Sequence, residues 1–273
     1  MALAGSAGSV SGRDEDGVFA PPATSVLTSR HVDIGGLTLH SRVSSWGDAR
    51  RNVVLVHGLV SSRYFVRTAR RLTPGIRVVA PDLPRFGHSP KSTQALDVAG
   101  LTNALAAFMV GEGLVDAMIV GHSVGAQVVV DLAGRHPHLV ERAVLAAPTF
   151  DPAARTIRQQ YARWLRNVVR EPVSLNALLA REAVELGPVR PVRVLRSALR
   201  DRIEDKLRRV KVPTSVVRGE LDALVPQAWC EHVAALLPAG RLAVIPGAPH
   251  TVTYSAPRQF AALLREFWAE GGH

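Results

Sequence analysis

Gly121-His122-Ser123-Val124-Gly125 sets a serine between two glycines, after the apolar run at 115–120 and ahead of a helix-like run at 127–133. A serine on so tight a strand-to-helix turn is held at a strained φ/ψ with its hydroxyl standing above the sheet edge, and glycines two residues to either side remove the clash with the neighbouring strand and helix. Such a hydroxyl attacks carbonyl carbon only with a general base in reach and a third group to fix the base's tautomer. Among ten histidines, position selects His250, which ends the loop Pro246-Gly247-Ala248-Pro249 after a strand-like run at 242–245. Asp222 closes Gly219-Glu220-Leu221 at the same edge of the preceding strand-like run. Glu220, two residues away, and Asp151, after the strand before that, stay open as alternative acids. The order Ser123, Asp222, His250 is the one expected when neighbouring strand ends supply a nucleophile, an acid and a base.

The elements that must position these groups read as short β-rich runs alternating with longer amphipathic ones, the pattern of a parallel sheet with crossover helices. Strands are expected at 30–33, 37–43, 52–57, 77–81, 117–120, 142–146, 214–218 and 241–245, the first two forming a hairpin about Gly35-Gly36. Helices are expected at 62–72, 98–112, 124–136, 227–237 and 257–268. The runs Val53-Val54-Leu55-Val56 and Ala143-Val144-Leu145-Ala146 do not alternate with polar residues, as befits central strands covered on both faces. Residues 152–207 break the alternation: they read as three or four consecutive amphipathic helices, with Tyr161, Trp164, Leu165 and Val168 at helical spacing and prolines at 172, 188 and 191. Both sheet faces being occupied, an all-helical insertion must lie over the carboxyl ends of the strands, where open α/β sheets bind ligands. The division expected is a flexible tail over 1–25, a core over 26–150 and 212–273, and a helical cap over 151–211.

Composition narrows the class. A chain of 273 residues can bury a substantial core. No stretch approaches the roughly 18 apolar residues of a membrane span, and the first 25 residues lack the pattern of a secretory signal. Cytoplasmic location is the expectation, without membrane association. The single cysteine, Cys230, excludes an intramolecular disulfide and reads as a structural thiol. Of the net charge of +10, residues 152–211 hold +9, from 15 Lys+Arg against 6 Asp+Glu. Solvated helix faces account for many such charges, and arginine outnumbers lysine 30 to 3, but the concentration in one segment also fits steering of an anionic substrate. No basic stripe with interleaved aromatics suggests nucleic acid.

Five motifs now stand in register: His57-Gly58-Leu59; Pro81-Asp82-Leu83 through Gly87-His88-Ser89; the Gly121 to Gly125 turn; Gly219-Glu220-Leu221-Asp222 with Val225-Pro226; and Gly247-Ala248-Pro249-His250. From about residue 30 to 268 the chain resembles the α/β-hydrolase superfamily, of the kind with a helical cap after the sixth strand. The resemblance implies a mostly parallel eight-stranded sheet flanked by helices, backbone N–H groups of Leu59 and Val124 as an oxyanion hole, and no metal or organic cofactor. It implies a serine hydrolase cleaving a carboxylic ester or thioester through an acyl-enzyme on Ser123. Tyr161, Trp164, Leu165 and Leu178 are candidates for an apolar acyl pocket, although their spacing equally fits packing. His57 is expected to brace the oxyanion loop, His122 to pack against the helix, and Asp82 to hold its own loop. Arg85 stands where relatives often have glycine. Alternatives on the same scaffold are a carbon–carbon bond hydrolase of the meta-cleavage-product type, an acyltransferase or cyclase, and a small-molecule binding protein without turnover.

Overall fold

In a computed structural model, residues 27–44, 51–73, 75–90, 97–187 and 189–270 are described; the expected tail lies outside them. Eight strands, β1 (Leu27–Ile34), β2 (Leu37–Ser44), β3 (Arg51–Val56), β4 (Ile76–Pro81), β5 (Ala117–His122), β6 (Val140–Ala146), β7 (Thr214–Gly219) and β8 (Gly240–Ile245), form one sheet in the order β1-β2-β4-β3-β5-β6-β7-β8. β2 runs antiparallel to both its neighbours, and every pairing from β4 to β8 is parallel. The sheet is therefore mostly parallel, and the carboxyl ends of β3, β5, β6, β7 and β8 share one rim.

Helices α1 (Val66–Leu72), α2 (Val98–Gly111), α3 (Val124–Arg135), α7 (Gln227–Leu236), α8 (Val252–Ser255) and α9 (Pro257–Ala269) flank the sheet. Local chemistry sets their ends: the Asp97 carboxylate receives the Gly100 N–H at 2.8 Å to start α2, and Pro257 opens α9 where its missing N–H costs nothing. Two buried apolar clusters form the core. One joins β3 and β5 side chains such as Val54 and Ile119 to α2, α3 and α7; the other joins Val53, Leu55 and Val120 to α1 and α9 through Phe65, Phe260 and Trp268. Alternate residues of the central strands feed opposite clusters, which is why these strands carry no polar alternation.

Between β6 and β7 the chain is helical throughout: α4 (Ile157–Val168), α5 (Val173–Leu186) and α6 (Val189–Arg200), with short 3-10 turns before and after. Thr156 and Gln159 form a reciprocal capping box on α4, and Gly187, at φ +70°, ends α5. The expected strands and helices are thus present with ends moved by at most three residues, except that the helix expected at 62–72 begins as a 3-10 turn at Ser62–Phe65 before α1; the short α8 is additional.

Candidate active site

Ser123 follows β5 directly and precedes the first residue of α3, at φ 57° and ψ −121°, a conformation sparsely populated for any side chain. The flanking glycines are forced by close backbone approach. A Cβ on Gly121 would lie 2.5 Å from Gly125 O, and one on Gly125 would lie 2.3 Å from Val56 O and 2.7 Å from His57 O. The serine is thereby wedged between the end of β3 and the start of α3. Its backbone N–H is fixed to Ala146 O at 2.9 Å, while its side chain makes no capping bond to the helix it heads.

Asp222 and His250 meet: His250 Nδ1 lies 2.9 Å from Asp222 Oδ2. Both are buried, at 4% and 6% exposure. The other Asp222 oxygen accepts the N–H groups of Leu224 and Val225, at 2.8 and 2.9 Å. Burial alone would raise the Asp222 carboxyl, but His250 and those two N–H donors outweigh it and hold the carboxyl below its ordinary value. For His250, burial pushes the imidazole down, and the Asp222 charge and hydrogen bond, with Glu171 adding to them, bring it above 6.5. With Nδ1–H donated to the carboxylate, Nε2 is the nitrogen left to face a serine. No hydrogen bond joins Ser123 Oγ to His250 here; bonds of this kind commonly tighten only when a reactant is bound.

The competing acids are engaged elsewhere. Glu220, exposed, receives the Gly247 N–H at 2.8 Å, and Asp151 pairs with Arg163 at 2.7 Å and receives the Ala153 N–H. Gly219 closes the arrangement from below: a Cβ there would lie 2.2 Å from Pro249 O, so only glycine lets the acid and histidine loops touch.

Two further histidines are fixed as neutral donors and acceptors. His57 Nε2 accepts the Leu83 N–H at 2.8 Å, so Nδ1 carries the proton donated to Gly58 O at 2.9 Å; burial holds this ring below its ordinary value. It braces the loop of Leu59, as expected from sequence. His122 does more than pack against a helix. Tyr64 OH receives the Gly58 N–H at 2.9 Å and must donate to His122 Nδ1 at 3.0 Å, so His122 Nε2–H donates to His250 O at 3.2 Å. One chain of hydrogen bonds thus runs from the Leu59 loop to the backbone of His250. Burial, and then the charge of His250, lower His122 to about 3, which keeps Nδ1 free to accept. Tyr64 was not singled out in sequence, where it falls within the helix expected at 62–72.

Val124 opens α3 and Leu59 follows β3 by three residues; among the described residues no hydrogen bond uses either N–H. Both are available on the rim beside Ser123, and a Cβ on Gly58 would come within 3.7 Å of Ser123 Oγ. Asp82 braces more than its own loop. It receives the Ser62 N–H at 2.7 Å and the His88 N–H at 3.0 Å, and contacts His40 and Arg42. Burial opposes its ionisation, but the His40 hydrogen bond, the Arg42 charge and the His88 N–H hold it far below the carboxylate range. A Cβ on Gly87 would lie 2.2 Å from that carboxylate. Arg85, at φ 74°, occupies the left-handed conformation that glycine adopts without strain.

Of the apolar cap candidates, Tyr161, Trp164 and Leu165 stand 57%, 44% and 47% exposed along one side of α4, with Tyr161 and Trp164 stacked at 5.7 Å. They stand on an open face of the helix, whereas Leu178 on α5 packs half-buried against the core. The face that α4 turns inward is polar: Gln160 and Asn167, both buried. Cys230 is buried, and burial raises its thiol to about 12, in keeping with a structural role. Among the described residues no group of three His, Cys, Asp or Glu is placed to hold a metal ion, and no helix is long and apolar enough to cross a membrane.

The chain is similar to a pimeloyl-[acyl-carrier protein] methyl ester esterase of Aromatoleum aromaticum, 30% identical over 262 residues that cover 80% of this chain and 98% of that one. It is similar also to a 2-(acetamidomethylene)succinate hydrolase of Mesorhizobium japonicum, at 28% identity covering 90% and 96%. A crystal structure of a membrane phospholipase A superposes with a TM-score of 0.78 at 21% identity, covering 89% of this chain and 86% of the other. The model of the alpha/beta hydrolase family matches residues 53–263, from within β3 through the His250 loop into α9. The chain belongs to the alpha/beta hydrolase family and is a hydrolase.

Proposed function

We propose that this protein hydrolyses a carboxylic ester or thioester through an acyl-enzyme on Ser123, with His250 as base and Asp222 as its orienting acid. The observation that carries the reading is the buried Asp222–His250 bond of 2.9 Å, which commits Nδ1 and leaves Nε2 for the serine. Ser123 Oγ attacks the acyl carbon while His250 takes its proton; the N–H groups of Leu59 and Val124 receive the oxyanion. Collapse breaks the bond to the alcohol or thiol, which leaves with the proton from His250. Water, deprotonated by the same imidazole, then releases the acid. The positive end of α3 favours the developing negative charge, and one oxyanion donor contributes about 3 to 4 kcal/mol to such a transition state. A fluorophosphonate probe tests the nucleophile: the wild type should label and Ser123→Ala should not, while absence of label in both would favour a binding protein without turnover.

The acyl group or its carrier is anionic in this reading. Arg155, Arg163, Arg181, Arg202 and Lys206 of the helical insertion pair with carboxylates, but Arg158, Arg166, Arg193, Arg196 and Arg200 are exposed with no described carboxylate in reach. The relatives' names lean the same way, one naming an acyl group on a carrier protein and the other a substituted succinate. Turnover of an anionic ester should fall with ionic strength while that of a matched neutral ester should not. Equal salt responses would refute an electrostatic role for the insertion.

A further inference from the structure

Two loops bear the groups proposed to act on substrate, and each is tied to the helical insertion by a buried carboxylate. Glu182, on α5, receives the Ser61 N–H at 2.9 Å on one oxygen and the Ser61 hydroxyl on the other, with Arg63 Nε 3.9 Å away. Ser61 stands two residues beyond Leu59. Glu171, in the turn between α4 and α5, receives the Thr251 N–H at 2.7 Å and Asn167 Nδ2 at 3.1 Å on Oε1, and the Ser255 hydroxyl at 2.7 Å on Oε2. Thr251 follows His250, whose own N–H donates to Asn167 Oδ1 at 3.4 Å. Glu171 is 7% exposed and Glu182 3%.

A buried carboxylate is a poor way to fasten a helix. Its desolvation often exceeds what the contact returns, and well-packed apolar residues would hold the helix as well or better. What an apolar contact cannot do is accept two loop donors at fixed points. The donors here are the main-chain N–H and hydroxyl of Ser61 on one side, and the Thr251 N–H with the Ser255 hydroxyl at the end of α8 on the other, and a main-chain N–H buried without a partner is costly.

We infer that Glu182 and Glu171 are positioning residues, the first holding the oxyanion loop and the second the base loop, so that the helical insertion completes the active site as well as covering it. The inference rests on the roles given above to Ser123, His250 and Leu59. Glu171 has a second consequence. The charged or titratable groups around His250 are Asp222 from the β7 loop, His122 from the end of β5, which is neutral, and Glu171 from the insertion; of the cations on adjoining elements, Arg67 stacks on Tyr254 and Arg170 donates to Leu221 O. Two carboxylates therefore favour the imidazolium, and one of them belongs to the insertion.

The test uses conservative variants and readouts that do not need turnover. Glu171→Gln keeps an oxygen for the Thr251 N–H and loses the charge. The His250 titration, followed by histidine 13C NMR, should move down by about 0.5 to 1 pH unit, and the acid limb of kcat/KM should move with it. Glu182→Ala should speed exchange of the Ser61 amide at least tenfold, and should weaken binding of a boronic acid transition-state analogue about tenfold or more while KM stays within a few-fold. Glu182→Gln, which keeps one acceptor, should recover most of that loss. An unmoved His250 titration in Glu171→Gln overturns the role of Glu171, and unmoved amide exchange and boronate affinity in Glu182→Ala overturn that of Glu182, even if both variants melt at lower temperature. Turnover surviving in Ser123→Ala would instead overturn the nucleophile and leave the NMR and exchange results to judge the two carboxylates.

Discussion

Gly125→Ala sets two effects of opposite sign against each other. Inside a helix, alanine for glycine should stabilise by about 1 kcal/mol, and Gly125 is the second residue of α3. The added Cβ, however, would sit 2.3 Å from Val56 O, 2.7 Å from His57 O and 3.0 Å from Val56 C, all main-chain atoms that no rotamer change can clear. Ordinary contact begins at 3.4 Å, so the start of α3 must retreat from the end of β3 by about 1 Å, and overpacking of this kind costs roughly 1 to 3 kcal/mol. The net loss of stability is then about 2 kcal/mol or less, which leaves the protein folded. Activity should suffer more. Val124 N–H lies on the α3 side of the junction and Leu59 N–H on the β3 side, so a 1 Å parting opens the proposed oxyanion hole, and displacement on that scale costs about 100-fold in rate. The assay is kcat and KM on a chromogenic ester, with Gly134→Ala as control: that residue lies in the same helix, its Cβ would meet only Arg209 Cβ at 3.7 Å, and kcat should be unchanged. Wild-type kcat in Gly125→Ala would refute the close-approach reasoning and the placing of the oxyanion hole.

Asp222→Asn should lower kcat by about 10⁴-fold by presenting the wrong tautomer of His250, while Glu220→Gln, which alters only an exposed contact to Gly247, should stay within a few-fold; the reverse ranking would move the acid to Glu220. The acid limb of kcat/KM should have its midpoint above 6.5, because the folded protein favours the His250 imidazolium; a midpoint below 6.5 contradicts that balance. That preference adds stability below pH 6.5 and loses it as pH rises through the folded value. His122 acts in the opposite sense. Held neutral down to about 3, it makes the unfolded chain the better proton acceptor between pH 3 and 6.5, so stability should fall by about 1.4 kcal/mol per pH unit on acidification through that window. Urea unfolding of wild type and His122→Gln at pH 4, 5 and 6 reads the difference, and equal slopes would remove His122 from the account.

Local, directional signals carried most of the fold and the central residues of the site. Gly121 and Gly125 are visible in sequence because their chemistry is backbone contact, which tolerates one residue type, and the structure puts main-chain oxygens 2.3 to 2.5 Å from their absent Cβ atoms. Sequence position favoured Asp222 but left Glu220 open, since both follow β7 within three residues; the Leu224 and Val225 N–H groups turning back onto the Asp222 carboxylate, and its bond to His250, support Asp222 in the proposed role. Tyr64, Asn167, Glu171 and Glu182 carried no signal at all. Each acts across a separation of 58 to 128 residues or ties loops that far apart, as in Tyr64–His122, His122–His250 and Ser61–Glu182, and helical periodicity records only which face of α5 is apolar. The polar inner face of α4 inverted expectation for the same reason: a helix that packs on the His250 loop spends its buried positions on hydrogen bonds, leaving Tyr161, Trp164 and Leu165 outside.

That inversion bears on how the charge of the insertion can act. At physiological ionic strength a surface charge is felt over about 8 Å, so arginines on the insertion cannot draw a substrate from afar; they act on whatever passes within one or two side chains. α4 has no acidic residue, and its arginines Arg158 and Arg166 flank the exposed Tyr161, Trp164 and Leu165. The opposite side of the same helix holds the His250 N–H through Asn167. A ligand with an apolar chain and a negative group could therefore meet both at a surface one helix diameter, about 10 Å, from the base that would act on it. Neutralising Arg158 and Arg166 together should then raise KM for an anionic ester and leave its kcat alone. A matching rise in KM for a neutral ester of the same chain length would assign the effect to lost packing around Trp164 and remove charge from the argument.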